Sequence, residues 1–76
     1  MSNGQSTYFV RRQHDGVRMS RDGKSDSEWI DMENAIFFAN RCVAGSMNTE
    51  SYEVVRTKDD IIVAIVNEDH SVGLST

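Results

Sequence analysis

The side chains capable of covalent or metal chemistry are few and scattered. One cysteine, Cys42, and two histidines, His14 and His70, carry all the thiol and imidazole of the chain. Nucleophilic catalysis needs a base within hydrogen-bond reach of the nucleophile and a third group to orient that base. His14 falls in a predicted turn and His70 in a predicted loop, and the pattern brings neither to Cys42. Cys42 lies inside an apolar helical stripe and reads as an inert core thiol, since reactive thiols sit in exposed, electropositive surroundings. Glu68-Asp69-His70 has the residue types of a metal site, but three adjacent loop residues diverge and supply too few donors. Asp59-Asp60 reads as turn chemistry and not as a pair of working carboxylates. Gly23-Lys24-Ser25 superficially resembles a phosphate-binding loop, yet its distance from Gly16 is too long for that motif and no helix-forming run follows directly. No catalytic residue, metal site or cofactor is expected, and the chain is not read as an enzyme.

Binding chemistry is better represented. Between residues 8 and 25, Arg11, Arg12, Arg18, Arg21 and Lys24 stand against Asp15 and Asp22, a local charge of +3 inside a chain whose net charge is −4. Phe9, Arg11 and Arg18 fall on one face of a predicted hairpin, an aromatic between arginines. That combination allows bases to stack on the ring while arginines meet phosphates, so nucleic-acid binding is the rival expectation. Against it stand the acidic balance of the whole chain and the single stacking platform.

The elements that must position these residues are organised around Ile61 to Val66, IIVAIV, an uninterrupted apolar run. Half-buried strands alternate apolar with polar, whereas this one reads as a strand buried on both faces. Residues 1–6 are small and polar and read as a disordered lead-in; residues 7–70 form a single domain; residues 71–76 are a tail or short edge strand at Val72 to Leu74. YFVRRQ and VRMSR form a hairpin about Asp15-Gly16, with Tyr8, Val10, Val17 and Met19 on the core face. Residues 22–28 form a polar connector. Asp31 is a good helix N-cap with Glu33 in the first turn, and the helix is expected from Met32 to about Ala44, stopped by Gly45. Its buried stripe is Met32, Ala35, Ile36, Ala39, Cys42 and Val43, while Phe37 points away beside Arg41 and Ala44 as a candidate contact residue.

A second hairpin follows, YEVVRT and IIVAIV, turning at Lys58-Asp59. With Lys58-Asp59 as the turn, Tyr52, Val54, Ile61, Val63 and Ile65 share one face, and Val55, Ile62, Ala64 and Val66 share the other. The expected architecture is therefore α+β: a two-layer β-β-α-β-β domain whose four-stranded antiparallel sheet carries one helix on one face. One helix cannot cover both faces. The uncovered face would join Val55, Ile62, Ala64 and Val66 to Phe9, Arg11 and Arg18, an apolar centre rimmed by arginine and aromatic, which is interface composition.

The stretch from Asp31 to Asn67, DMENAIFFANRCVAGSMNTESYEVVRTKDDIIVAIVN, resembles in element order and length the helix-plus-terminal-hairpin core of small phage-encoded inhibitors. Its layout is most similar to anti-CRISPR proteins directed at type I systems. The resemblance covers about half the chain and carries no diagnostic motif, so no binding residue transfers with it. What it implies is a cofactor-free protein that blocks a host complex by binding it. The expected function is thus protein binding, to a host complex or to a second copy as a homodimer, through Phe9, Arg11, Arg18, Phe37, Val55, Ile62 and Val66. No run has a membrane span's length and MSNGQST lacks a signal peptide's apolar core, so the expected location is the cytoplasm, a host's if the chain is phage-encoded.

Overall fold

The computed structural model describes residues 7–20 and 28–74. The readings of residues 1–6, the Gly23-Lys24-Ser25 stretch and most of the polar connector lie outside these residues. Within them the chain is an α+β domain: β1 (Tyr8–Arg12), β2 (Arg18–Met19), α1 (Met32–Gly45), β3 (Tyr52–Arg56), β4 (Ile61–Val66) and β5 (Val72–Leu74). The sheet is antiparallel throughout and has five strands, in the order β2-β1-β3-β4-β5, not the four expected. The additional strand is β5, which pairs Val72 with Val66 and Leu74 with Ala64. β1 sits beside β3, so the two hairpins join through their first strands, and the helix packs on β1, β3 and β4.

The first hairpin closes with a four-residue loop, Gln13 to Gly16. Arg12 N–H donates to Val17 O at 2.8 Å and Gly16 N–H to Arg12 O at 2.7 Å. Gly16 takes φ 72°, a left-handed conformation that costs a residue without a Cβ little. Arg12 grips Asp15 through Nη2 to Oδ2 at 2.7 Å and Nε to Oδ1 at 3.0 Å. That hydrogen bond first, and one from Val17 N–H second, hold the Asp15 carboxyl down to about 2 from its ordinary 3.8. A carboxyl depressed on folding stabilises above its unfolded pKa, and the contribution disappears as pH falls towards the folded value. The pair is exposed and screened, so the effect is small. Between pH of about 4 and about 2, Asp15→Asn should lose less melting temperature than the wild type, because it has no such contribution to lose. Identical acid slopes in the two chains would contradict this.

The helix begins where the cap chemistry places it. The Asp31 carboxylate accepts from Glu33 N–H at 3.1 Å, satisfying one of the free donors of the first turn. Its end differs from expectation. Gly45 remains helical, and the left-handed conformation is taken instead by Met47 (φ 61°) and Asn48 (φ 60°). Asn48 N–H reaches back to Val43 O at 2.9 Å, and its side-chain Oδ1 meets His70 Nε2 at 3.1 Å. His70 itself has φ 71°, and its Nδ1 faces Asn40 Oδ1 at 3.0 Å. The histidine thereby straps the β4–β5 turn to the C-terminal end of the helix. Asp69 Oδ1 accepts from Ser71 N–H and Ser71 Oγ, so the side chains of that turn are used to build it.

The core lies between helix and sheet: Val10, Trp29, Ala35, Ala39, Val43, Tyr52, Val54, Val63, Ala64 and Val66 are buried together. Ala35 and Ala39 of the helix share this cluster with Ala64 and the valines of the sheet. Cys42 packs against this cluster and burial pushes its thiol pKa up, against the weaker opposing effect of Arg41.

The second hairpin carries the main correction. Arg56 pairs with Ile61 and Val55 with Ile62, as a turn at Lys58-Asp59 dictates, but Val54 then pairs with Ala64 and Tyr52 with Val66. The register shifts between Val54 and Val55 because β4 holds one extra residue, Val63, as a β-bulge. A single extra residue exchanges the faces of everything beyond it. Ala64 and Val66, expected on the uncovered face, lie on the helix side and are fully buried, while Ile65 pairs with Glu53 on the opposite face.

Candidate functional site

Five of the expected binding residues share the sheet face opposite the helix, but they form no open apolar patch. Phe9 pairs with Val55, which pairs with Ile62, so the three line up across β1, β3 and β4. Val55 is fully buried, Phe9 is 9% exposed and Ile62 is half-buried. Arg18 lies over the Phe9 ring with its guanidinium carbon 4.3 Å from the centroid, and its Nη2 also meets Glu28 Oε2 at 3.4 Å. Arg11 Nε donates to Glu53 Oε1 at 2.6 Å, placing a charge pair beside the apolar row. The sequence pattern located this face correctly for Phe9, Arg11, Arg18, Val55 and Ile62. It did not foresee that the carboxylates of Glu53 and Glu28 occupy the arginines.

This geometry bears on the nucleic-acid alternative. A sheet-surface aromatic that stacks on a base must offer a bare ring, and phosphate contacts need arginines released from carboxylates. Phe9 is covered by Arg18, and Arg11 and Arg18 are both engaged with acidic side chains. In a gel-shift assay no retardation of single-stranded or duplex DNA or RNA is expected even at low salt, where phosphate contacts are strongest. A shift abolished by the Arg11→Ala/Arg18→Ala double substitution would contradict this.

Phe37, with 63% of its area in solvent, stands in a concave surface. It lies with Trp29, Asn34, Phe38 and Arg41 around a groove of about 400 Å³. Four of these residues come from one helical stripe, because Asn34, Phe37, Phe38 and Arg41 follow the i, i+3, i+4, i+7 spacing that aligns side chains along a helix. The helix thus carries two stripes: one buries Ala35, Ala39 and Val43, and the other faces the groove. Trp29 supplies the wall outside the helix. Its backbone is fixed by an isolated bridge to Tyr8, with Tyr8 N–H to Trp29 O and Trp29 N–H to Tyr8 O both at 2.7 Å. Its ring stacks on Phe38 at 4.6 Å between centroids, inclined by 30°. Trp29 is 8% exposed, so the stack is a firm wall, while Phe37 stands free at its edge.

Phe37 and its neighbour Arg41 were legible as a helical side turned away from the core. Asn34 and Phe38 share that helical spacing and could have been added from it, whereas Trp29 was not legible, since the bridge that fixes it to Tyr8 pairs residues 21 positions apart and has no local signal. Among the described residues no group of three or more His, Cys, Asp or Glu converges as a metal site, and no helix is long and apolar enough to cross a membrane. Comparison with protein-family models, curated proteins and solved structures finds no match to the chain.

Proposed function

We propose that the protein is a small, non-enzymatic protein-binding module that grips its partner through the outer stripe of its helix. The observation that carries this reading is Phe37: a large aromatic side chain, mostly in solvent, beside a rigid Trp29–Phe38 stack and an arginine. Aromatic residues and arginine dominate the energetics of protein interfaces, and truncating such an anchor commonly removes about 2 kcal/mol or more of binding energy. Ordering a fixed aromatic wall on binding also costs little entropy. The similarity of residues 31–67 in element order and length to small phage-encoded inhibitors accords with this reading, and blockade of a host complex by direct contact is the form the activity would take.

The test compares variants on two surfaces. Affinity capture from the producing cell, with the retained protein identified by mass spectrometry, should succeed with the wild type and with Ile62→Thr. It should fail with Phe37→Asp, whose melting temperature should match the wild type. Capture that survives Phe37→Asp but fails with a folded Ile62→Thr would move the interface to the opposite face of the sheet and overturn the reading.

A further inference from the structure

We propose that the groove accepts a peptide segment of the partner that sets one carboxylate against Arg41 and a large apolar side chain against Phe37 and the Trp29–Phe38 stack. The proposal rests on the protein-binding reading and names the chemistry of its partner. Its first support is the state of Arg41. Arg11, Arg12, Arg18 and Arg56 each bind a carboxylate within 3.4 Å, whereas Arg41 makes no ion pair among the described residues. Arg41 is also the sole charged residue from Asn34 to Gly45, and among the described residues no carboxylate lines the groove. A guanidinium has a planar fork that fits a carboxylate with two parallel hydrogen bonds, so an exposed one beside aromatic walls forms a carboxylate subsite.

The same observations limit the ligand. The groove holds about 400 Å³, the scale of a pocket for one or two side chains and not of an extended polyanion track. Phosphate recognition draws on clusters of arginine or lysine, and one guanidinium is no cluster. The chain's −4 charge repels an acidic run, so the matching segment carries a single carboxylate within apolar sequence. Asn34, one helical turn from Phe37 and Phe38, adds an amide able to donate to and accept from the segment's backbone.

The probes are two capped peptides, acetyl-Leu-Asp-Leu-amide and its Asn analogue, titrated at millimolar concentration into the full chain. Amide chemical shifts report position, and emission of the single tryptophan, Trp29, reports affinity. The expected result is movement of the Asn34, Phe37 and Arg41 resonances, with the Asp peptide binding about fivefold tighter than the Asn peptide, as suits a solvent-screened ion pair. In Arg41→Glu the preference should invert, with acetyl-Leu-Lys-Leu-amide binding tighter than the Asp peptide. Equal affinity for the Asp and Asn peptides, or an Arg41→Glu chain with unchanged preference, overturns the proposal. So does a concentration-dependent shift of the same resonances without peptide, which would make a second copy of the chain the occupant. If Phe37→Asp abolishes partner capture while the peptides show no charge preference, this inference fails and the protein-binding reading stands.

Discussion

A Val66→Lys chain should fail to fold, whereas Ile65→Lys should fold and melt cooperatively. Val66 is fully buried on the helix side of β4, in contact with the common core. A lysine there must lose its charge or carry it into an apolar interior, and buried lysines lower their pKa by roughly 3 to 5 units to do so, about 4 to 7 kcal/mol. That rivals the whole stability of a small domain, which lies near the low end of roughly 5 to 15 kcal/mol. Ile65 is half-buried on the opposite face and pairs with Glu53. A lysine at that position keeps its amine in water near an acidic partner and forfeits only part of an apolar contact, about 1 to 2 kcal/mol. Circular dichroism of the two variants decides the matter. With an unbroken hairpin register the outcomes would be exchanged, so a folded Val66→Lys beside an unfolded Ile65→Lys would eliminate the bulge at Val63.

The second large effect is expected in binding and not in stability. Phe37→Asp should weaken partner binding by about 30-fold or more, the scale of an interface anchor, with a melting temperature close to the wild type. Phe37 has most of its surface in solvent, so its removal opens no cavity, and surface substitutions of that kind usually change stability by about 0.5 kcal/mol or less. Aspartate introduces a charge that a carboxylate-bearing segment would avoid, and it stands one turn from Arg41, which it could neutralise. Affinity measured by titration calorimetry with the captured partner checks the first half, and thermal melting checks the second. A variant that binds normally, or one that loses binding only because it unfolds, would contradict the expectation.

How much of this was legible in the residues depends on the range of the interaction that fixes each feature. The helix and its cap are local: Asp31 and Glu33 sit two residues apart, and the 3.6-residue period marks Ala35, Ala39 and Val43 as one stripe. Both hairpins follow from turn chemistry and length. The bulge does not, because IIVAIV has no polar residue to declare a face, and a strand that is apolar on both sides lets register be set by packing against the helix. The face error at Val66 and Ile65 is the direct result. The burial of Val55 and Phe9 likewise depends on what their neighbours do. Arg18 covers the Phe9 ring, and Glu53 holds Arg11, both through pairings between separate strands. The groove was half legible. Helical spacing turns Phe37 and Arg41 outward together, but Trp29 reaches the site through its long-range bridge to Tyr8.

The most direct test of the binding surface is site-specific photo-crosslinking. A photoreactive phenylalanine analogue is placed at position 37 in one chain and at position 62 in another, and each is irradiated in extract of the producing cell. One identified protein should be joined covalently through position 37, with no adduct through position 62, and unlabelled wild type but not Phe37→Asp should compete the adduct away. An adduct formed through position 62 and absent at position 37 would contradict this, and would place the partner on the sheet face that Val55 and Phe9 occupy.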